Sequence, residues 1–226
     1  MARGLNGVFL LVGSVLLAWG AYIPAKAWLG QQLLERAWRD GRVSGSLVRP
    51  WAWADLAPVA RLSFEDGAAL IVLSGATGQS LAWGPGHVDG TAWPGEPGNA
   101  VVAGHQDTHF ARLQAIEAGA MLEAESLQGM RARYRVRSTQ VVMDSDLRWL
   151  APDYDGLTLV TCFPFGGPPG GRARFVVRAD RVDLPDLPRR SRRIPLRVWT
   201  ALNRGALYAP GDSTYEDGHR PRTGRR

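Results

Sequence analysis

The feature that most limits how this chain can fold is a series of short strand-forming segments separated by Gly- and Pro-rich turns. Apolar or alternating runs of about four to eight residues, bounded by turn residues, are typical of β-strands. Such runs occur at residues 60–64, 69–73, 99–103, 131–137, 157–162 and 172–182. The sequence lacks the helical crossovers that parallel strands need, so it predicts a mostly antiparallel barrel or sandwich.

Two stretches between these strands have a different character. Phe110, Leu113 and Ile116 have helical spacing and predict one or two helical turns. Residues 74–98 are rich in Gly and Pro and predict mainly loop.

The N-terminal stretch predicts a membrane anchor. Residues 5–23 contain no charged side chain in 19 positions, and a helix of that length is about 28 Å long, close to the roughly 30 Å of a hydrocarbon core. A cleaved signal peptide is the competing interpretation. Beyond Pro24 the helical pattern resumes through Trp38, which favours an uncleaved anchor that continues into a juxtamembrane helix. A linker is expected at residues 41–50.

The positive charge of the chain is concentrated at its C-terminus. The formal net charge is +6, and residues 189–226 hold ten arginines against three acidic residues. The remainder is therefore close to neutral, and we expect no nucleic-acid partner. Residues 187–226 are predicted to be a poorly ordered basic extension. Within it, residues 194–207 could form a short amphipathic helix at an anionic membrane surface.

Cys162 ends an apolar, β-branched run and is the only cysteine in 226 residues. It cannot form an internal disulfide, so it is either an inert core residue or a nucleophile. A nucleophilic thiol needs a base or a cation nearby, because its ordinary pKa is about 8.5. A thioredoxin-like dithiol function is excluded by the lack of a second cysteine.

Partners for this thiol are present elsewhere in the sequence. His105 directly follows a predicted strand and is the leading candidate base, with His109 as the alternative. Attack on an amide carbonyl also generates an oxyanion, which a donor must stabilise. Arg172, Arg174 and Arg178 share one face of the last strand, and spacing does not choose among them.

These residues resemble a known family. Residues 158–162 (TLVTC) resemble the TLxTC signature of sortases, which are cysteine transpeptidases. Residues 174–178 (RFVVR) resemble the final strand of that family, and residues 103–105 (AGH) the segment with its catalytic histidine. Residues 84–87 (GPGH) and 104–110 (GHQDTHF) look most like the class GN sortases of Gram-negative bacteria. Many relatives have Arg where this chain has Gln106.

The resemblance implies a mostly β fold, a closed eight-stranded sortase-type barrel with short helices, preceded by one N-terminal transmembrane helix. Three regions are expected: the anchor and juxtamembrane helix at 1–45, the catalytic barrel at 46–186 and the basic extension at 187–226. It also implies a single-pass protein of the bacterial inner membrane with its catalytic domain in the periplasm. Positive charges near the anchor, read by the charge rule, would instead place the domain inside the cell.

The resemblance also implies the chemistry. Cys162 would attack the carbonyl between Thr and Gly of an LPxTG-like sorting motif at the C-terminus of a substrate protein, forming a thioacyl enzyme. His105 would exchange protons with the leaving and entering amines, and Arg174 would hold the oxyanion. Thr161 and Asp107 are candidate substrate-binding residues. The scheme needs no cofactor or metal, and an amine acceptor completes it.

Two alternatives belong to other classes. Another extracytoplasmic Cys–His amidase or peptidase would hydrolyse its substrate rather than join it to an amine. A membrane-tethered β-domain that only binds would keep Cys162 buried and inert.

Overall fold

The computed structural model describes residues 2–168 and 171–182, with side chains from residue 12 onward. These residues form two α-helices, eight strands and two short 3₁₀ helices. The helices are α1 (Ala2–Ser44) and α2 (Gly78–Leu81), and the 3₁₀ helices are Ala111–Ala115 and Arg148–Leu150. The strands are β1 (Pro58–Phe64), β2 (Ala69–Ser74), β3 (Gly86–His87), β4 (Asn99–Ala103), β5 (Met121–Ser126), β6 (Arg131–Met143), β7 (Gly156–Phe163) and β8 (Ala173–Val182).

The eight strands close into a barrel in the order β1-β2-β3-β4-β7-β8-β6-β5. The pairing of β5 with β1 completes the ring. Two neighbouring pairs, β2 with β3 and β4 with β7, are parallel, and the other pairs are antiparallel. The prediction of a closed eight-stranded, mostly antiparallel barrel is confirmed.

Two strands lie where the sequence did not predict any. β3 falls within the stretch predicted as loop, because it has only two residues and one of them is glycine. A Cβ at Gly86 would lie 2.2 Å from the Gly75 carbonyl oxygen, so close backbone approach requires glycine there. β5 was missed because small side chains follow Leu122 on its buried face, namely Ala124 and Ser126.

Alternation along β7 determines where the cysteine points. Leu157 and Leu159 face the main core inside the barrel. Val160 instead joins Val101 and Val176 in a smaller apolar cluster on the outer face. Since side chains two apart on a strand share a face, Cys162 lies on the outer face with Val160.

The C-terminal part of α1 packs against the barrel. Leu34 and Trp38 are buried in a cluster with β2 residues and Leu127. Arg42 forms an ion pair with Glu125 of β5 at 2.9 Å. The last turns of α1 therefore belong to the same packed unit as the strands.

The N-terminal part of α1 exposes large apolar side chains, including Leu16, Leu17 and Trp19. No helix in the described residues is both long enough and apolar enough to cross a membrane. The predicted span at residues 5–23 begins at positions whose side chains lie outside those described. The predicted C-terminal extension, 187–226, and its candidate helix, 194–207, also lie outside the described residues.

Candidate active site

The β7–β8 pairing brings together the thiol-bearing and guanidinium-bearing residues. Cys162 is a free, half-buried cysteine near the end of β7. Its partner in the antiparallel register is Arg174, the second residue of β8. Directly opposed residues on antiparallel strands present their side chains on the same face, with Cβ atoms about 4.5–5.5 Å apart. Cys162 and Arg174 therefore share the outer face of the barrel.

The β4–β7 pairing brings the histidine to the same place. These strands are parallel, and their register ends with Ala103 opposite Val160. The Gly104 amide continues the ladder by donating to the Val160 carbonyl at 3.1 Å. Continued two residues past the end of β4, the same register would set His105 level with Cys162. His105 is exposed there.

Close packing fixes the turn that carries His105. A Cβ at Gly104 would lie 2.6 Å from the ring of Phe110, which is fully buried, so only glycine fits at that position. The Phe110 amide donates to the His105 carbonyl at 3.1 Å. Thr161 donates its hydroxyl to the Gly104 carbonyl at 2.7 Å. Thr161, which precedes Cys162, is thus hydrogen-bonded to Gly104, which precedes His105.

The register distinguishes the three candidate arginines. Arg174 lies opposite the cysteine, and its Nη1 donates to the Gly171 and Ala173 carbonyls at 2.6 and 3.0 Å. Arg172 precedes β8, is 73% exposed and pairs with Asp144 at 3.4 Å. Arg178 lies opposite Thr158, four residues from Cys162 along β7. Arg174 is therefore the candidate that the fold places beside the thiol.

The other two described histidines have different surroundings. His87 is buried, stacks on Trp93 with a 4.4 Å centroid separation and has its Nε2 2.9 Å from the Ala92 carbonyl. Burial lowers the pKa of His87 below its ordinary value of 6.5. His109 lies in the turn after His105, where burial and then the proximity of His105 lower its pKa. His109 is thus a neighbour of the site, and the strand register favours His105.

The two predicted substrate-binding residues lie in unlike environments. Thr161 is only 3% exposed, and its hydroxyl is engaged by Gly104, an arrangement that suits positioning better than contact with a substrate. Asp107 is exposed in the turn after His105. A substrate contact by either residue stays a prediction.

Gln106 has a structural contact that sequence reasoning missed. Its side chain is 9% exposed, and its Nε2 donates to the Gly167 carbonyl at 3.0 Å. This bond ties the turn carrying His105 to the loop between β7 and β8. The one signal in the sequence is a polar residue next to the candidate histidine, at a position where the resemblance leads us to expect arginine.

A protein-bound metal ion at such a site usually needs at least three ligands. Within residues 2–168 and 171–182, no three His, Cys, Asp or Glu side chains cluster in a way that could hold one. A reaction without a cofactor stays a prediction from the sequence.

Comparison with known proteins identifies the family. A family model described as "Sortase domain" matches residues 65–182, slightly more than half of the chain. The chain belongs to the sortase family. The matched sortase region contains β2 to β8 and all three candidate catalytic residues. The closer resemblance to class GN sortases stays a prediction.

Similar sortases are found among curated proteins and solved structures. Sortase D of Bacillus subtilis (strain 168) is 30% identical over 117 residues, which cover 51% of this chain and 59% of that protein. Sortase A from Corynebacterium diphtheriae is 31% identical with a TM-score of 0.51, covering 58% of this chain and 64% of that one. This chain therefore covers less than two thirds of either relative.

A third similarity concerns the fold. The Clostridium perfringens Sortase D5 transpeptidase has a TM-score of 0.55 and 22% identity, covering 69% of this chain and 99% of that one. At that identity the similarity shows a shared sortase fold.

Proposed function

We propose that this sortase-family protein is a cysteine transpeptidase acting on an LPxTG-like sorting motif. The observation that supports the proposal is the strand register, which pairs Cys162 with Arg174 and ends, on the other side of β7, two residues before His105. A thiol, an imidazole and a guanidinium at one place supply a nucleophile, a proton carrier and an anion-stabilising donor. Acyl transfer from an amide needs these three functions.

The proposed reaction has two steps. The Cys162 thiol gives its proton to His105 as its sulfur bonds to the carbonyl carbon between Thr and Gly; the carbon–nitrogen bond then breaks, and His105 passes that proton to the departing glycine amine. His105 then takes a proton from an entering amine, which attacks the thioester and releases the cysteine sulfur. Arg174 donates hydrogen bonds to the oxyanion in both steps. Its guanidinium has five N–H donors, so the two bonds to backbone leave others for substrate.

The test of this function is peptide joining. We expect the full chain, mixed with an LPxTG peptide and triglycine, to yield the acyl portion joined to triglycine, detected by mass. Cys162→Ala is expected to yield none. Hydrolysed peptide with no joined product would contradict transpeptidation and favour an amidase or peptidase. An unchanged peptide, with a thiol that alkylates only in denaturant, would favour a non-catalytic domain.

Asp107 is proposed to contact the substrate or the acceptor amine. It is exposed two residues beyond His105, and its charge suits an ammonium group. Asp107→Asn is expected to raise the KM for the amine with little change in thioacyl formation. Unchanged kinetics would remove Asp107 from the site.

We also propose that the N-terminal part of α1 anchors the protein in the bacterial inner membrane with the catalytic barrel in the periplasm. The large apolar side chains exposed from Val12 to Leu29 support an apolar environment for this segment. The chain should then sediment with membranes, and protease added to spheroplasts should digest the barrel. A barrel protected until the membrane is permeabilised would contradict the periplasmic placement.

A further inference from the structure

A cavity of about 240 Å³ lies on the outer face of the barrel, on the side formed by β6 and β8. We call it the Arg178 pocket. Its lining residues come from β6, β8 and the connection between β6 and β7: Gln140, Val142, Asp146, Arg148, Trp149 and Arg178. Val142 is the register partner of Arg174, so the lining begins next to the candidate active site. Arg178 lies four residues after Arg174 along β8. At a rise of about 3.3 Å per residue, this places the two Cα atoms about 13 Å apart.

The charge of the pocket comes from Arg178. Asp146 accepts two hydrogen bonds from Arg148, at 2.8 and 2.6 Å. The hydrogen bonds that Asp146 accepts from Arg148, from the side chain above all, lower the pKa of Asp146 to about 2. The negative charge of Asp146 and the positive charge of Arg148 therefore largely cancel. Arg178 donates its Nη2 to the Arg148 carbonyl, a neutral acceptor, at 2.7 Å. One positive charge thus remains among the lining residues.

Two lining residues hold donors without an acceptor. The Nε of Arg178 and the indole nitrogen of Trp149 are buried, and neither has a hydrogen-bond partner among the described residues. Buried donors are almost always paired in folded proteins, because leaving one unpaired is costly. Both nitrogens belong to residues that line the pocket, so an acceptor there could pair with either one once its side chain turns to expose it. A negatively charged acceptor would also meet the remaining positive charge.

We propose that the Arg178 pocket binds an acidic side chain of the donor peptide, located four residues before the acylated residue. The inference rests on the proposed transpeptidase function. An extended peptide rises about 3.3 Å per residue, so the residue four positions before the acylated one lies about 13 Å from it. That separation equals the distance along β8 from Arg174 to Arg178. In an LPxTG peptide this residue directly precedes Leu.

Size and polarity favour the donor peptide as the occupant. Small-molecule sites usually measure about 300–1,000 Å³, so the cavity of about 240 Å³ suits one side chain. Val142 and Trp149 supply the apolar part of the pocket lining, which suits the Leu and Pro of the motif. A carboxylate beyond them would accept charge-assisted hydrogen bonds from Arg178.

The test compares two peptides that differ by one charge. Glu-Leu-Pro-Ala-Thr-Gly and Gln-Leu-Pro-Ala-Thr-Gly are offered to the full chain, and thioacyl formation is followed by intact mass. We expect kcat/KM to favour the Glu peptide about tenfold, the size of one charge-assisted hydrogen bond. Arg178→Gln should abolish the preference. Arg133→Gln is the matched control, since Arg133 is exposed on β6 seven residues from Gln140 and should keep the preference.

The outcomes separate the pocket from the function. Equal rates for the two peptides would overturn the pocket assignment while leaving the transpeptidase proposal intact. No adduct with either peptide would contradict the function itself. A preference seen only when the acidic residue is on the acceptor amine would overturn the assignment to the donor.

Two further measurements do not depend on turnover or on Arg178→Gln folding. Calorimetry with Cys162→Ala should show tighter binding of the Glu peptide, again by about tenfold. The preference of the unmodified chain should fall as salt rises from 0.05 to about 1 M, because salt screens partly exposed charges. Equal affinities, or a preference that salt does not change, would count against a carboxylate in the pocket.

Discussion

Replacing Thr161 with Val tests whether one buried hydrogen bond positions the histidine relative to the cysteine. Thr161 is 3% exposed, and its hydroxyl donates to the Gly104 carbonyl at 2.7 Å. Valine keeps the side-chain shape but leaves this buried carbonyl without its donor, which costs about 1–3 kcal/mol. The released turn carries His105, so we expect thioacyl formation to slow at least about tenfold, because a misplacement of about 1 Å is costly to catalysis. The KM for peptide should change little.

Thr158 offers a matched control on the same strand. Its hydroxyl is also buried and donates to the Asn99 side-chain oxygen at 2.7 Å, linking β7 to β4 at the end far from Cys162. Thr158→Val should therefore cost a similar 1–3 kcal/mol or so in urea unfolding, yet leave acylation nearly unchanged. Thr161→Ser should restore the rate. Equal rate losses in both valine variants, or a Thr161→Val defect confined to KM, would refute the positioning argument.

Three other predictions follow from the same structure. Arg174→Ala should slow acylation by about 10²-fold or more, whereas Arg172→Ala should stay active in the same assay; the reverse result would mean that the strand register chose the wrong arginine. Because burial lowers the pKa of His87, the unfolded chain binds more protons below its ordinary pKa of 6.5, so the free energy of unfolding should fall as pH drops from 7 to about 5; a flat pH profile in urea unfolding would contradict this. Leu34 is fully buried between α1 and the barrel, so Leu34→Ala should cost about 2–5 kcal/mol by denaturant unfolding, while Leu29→Ala, at a position that is 52% exposed, should cost little; equal effects would mean that this part of α1 does not pack as described.

The fold could be predicted where hydrophobic patterning is strong. β4 was predicted with its observed bounds, and β7 and β8 within one residue at each end, because each contains a run of apolar residues that includes valine. β3 could not be predicted, since pairing to both neighbours rather than composition makes its two residues a strand. The packing of α1 on the barrel could not be predicted either, because an apolar helix face indicates that the helix is buried but not which surface it packs against.

The sequence predicted the candidate catalytic residues of the site but not the contacts that hold them in place. A resemblance to sortases led to Cys162, His105 and Arg174, and residue spacing did not select the arginine. The register of β7 with β8 favours Arg174 over the other two arginines, because it pairs Arg174 with Cys162. The contacts of Thr161 and Gln106 depend on turns that approach each other only in the folded barrel. The pattern of residues along the sequence therefore could not predict these contacts.

The most direct test of the central claim is a double-mutant cycle on thioacyl formation, measured by intact mass with an LPxTG peptide and no amine. If His105 and Arg174 act together on the carbonyl attacked by Cys162, each alanine substitution should slow the step strongly. The double variant should then be much less impaired than the product of the two losses, because residues that act as a unit are not additive. Independent, multiplying effects, or an adduct that still forms in Cys162→Ala, would contradict the account.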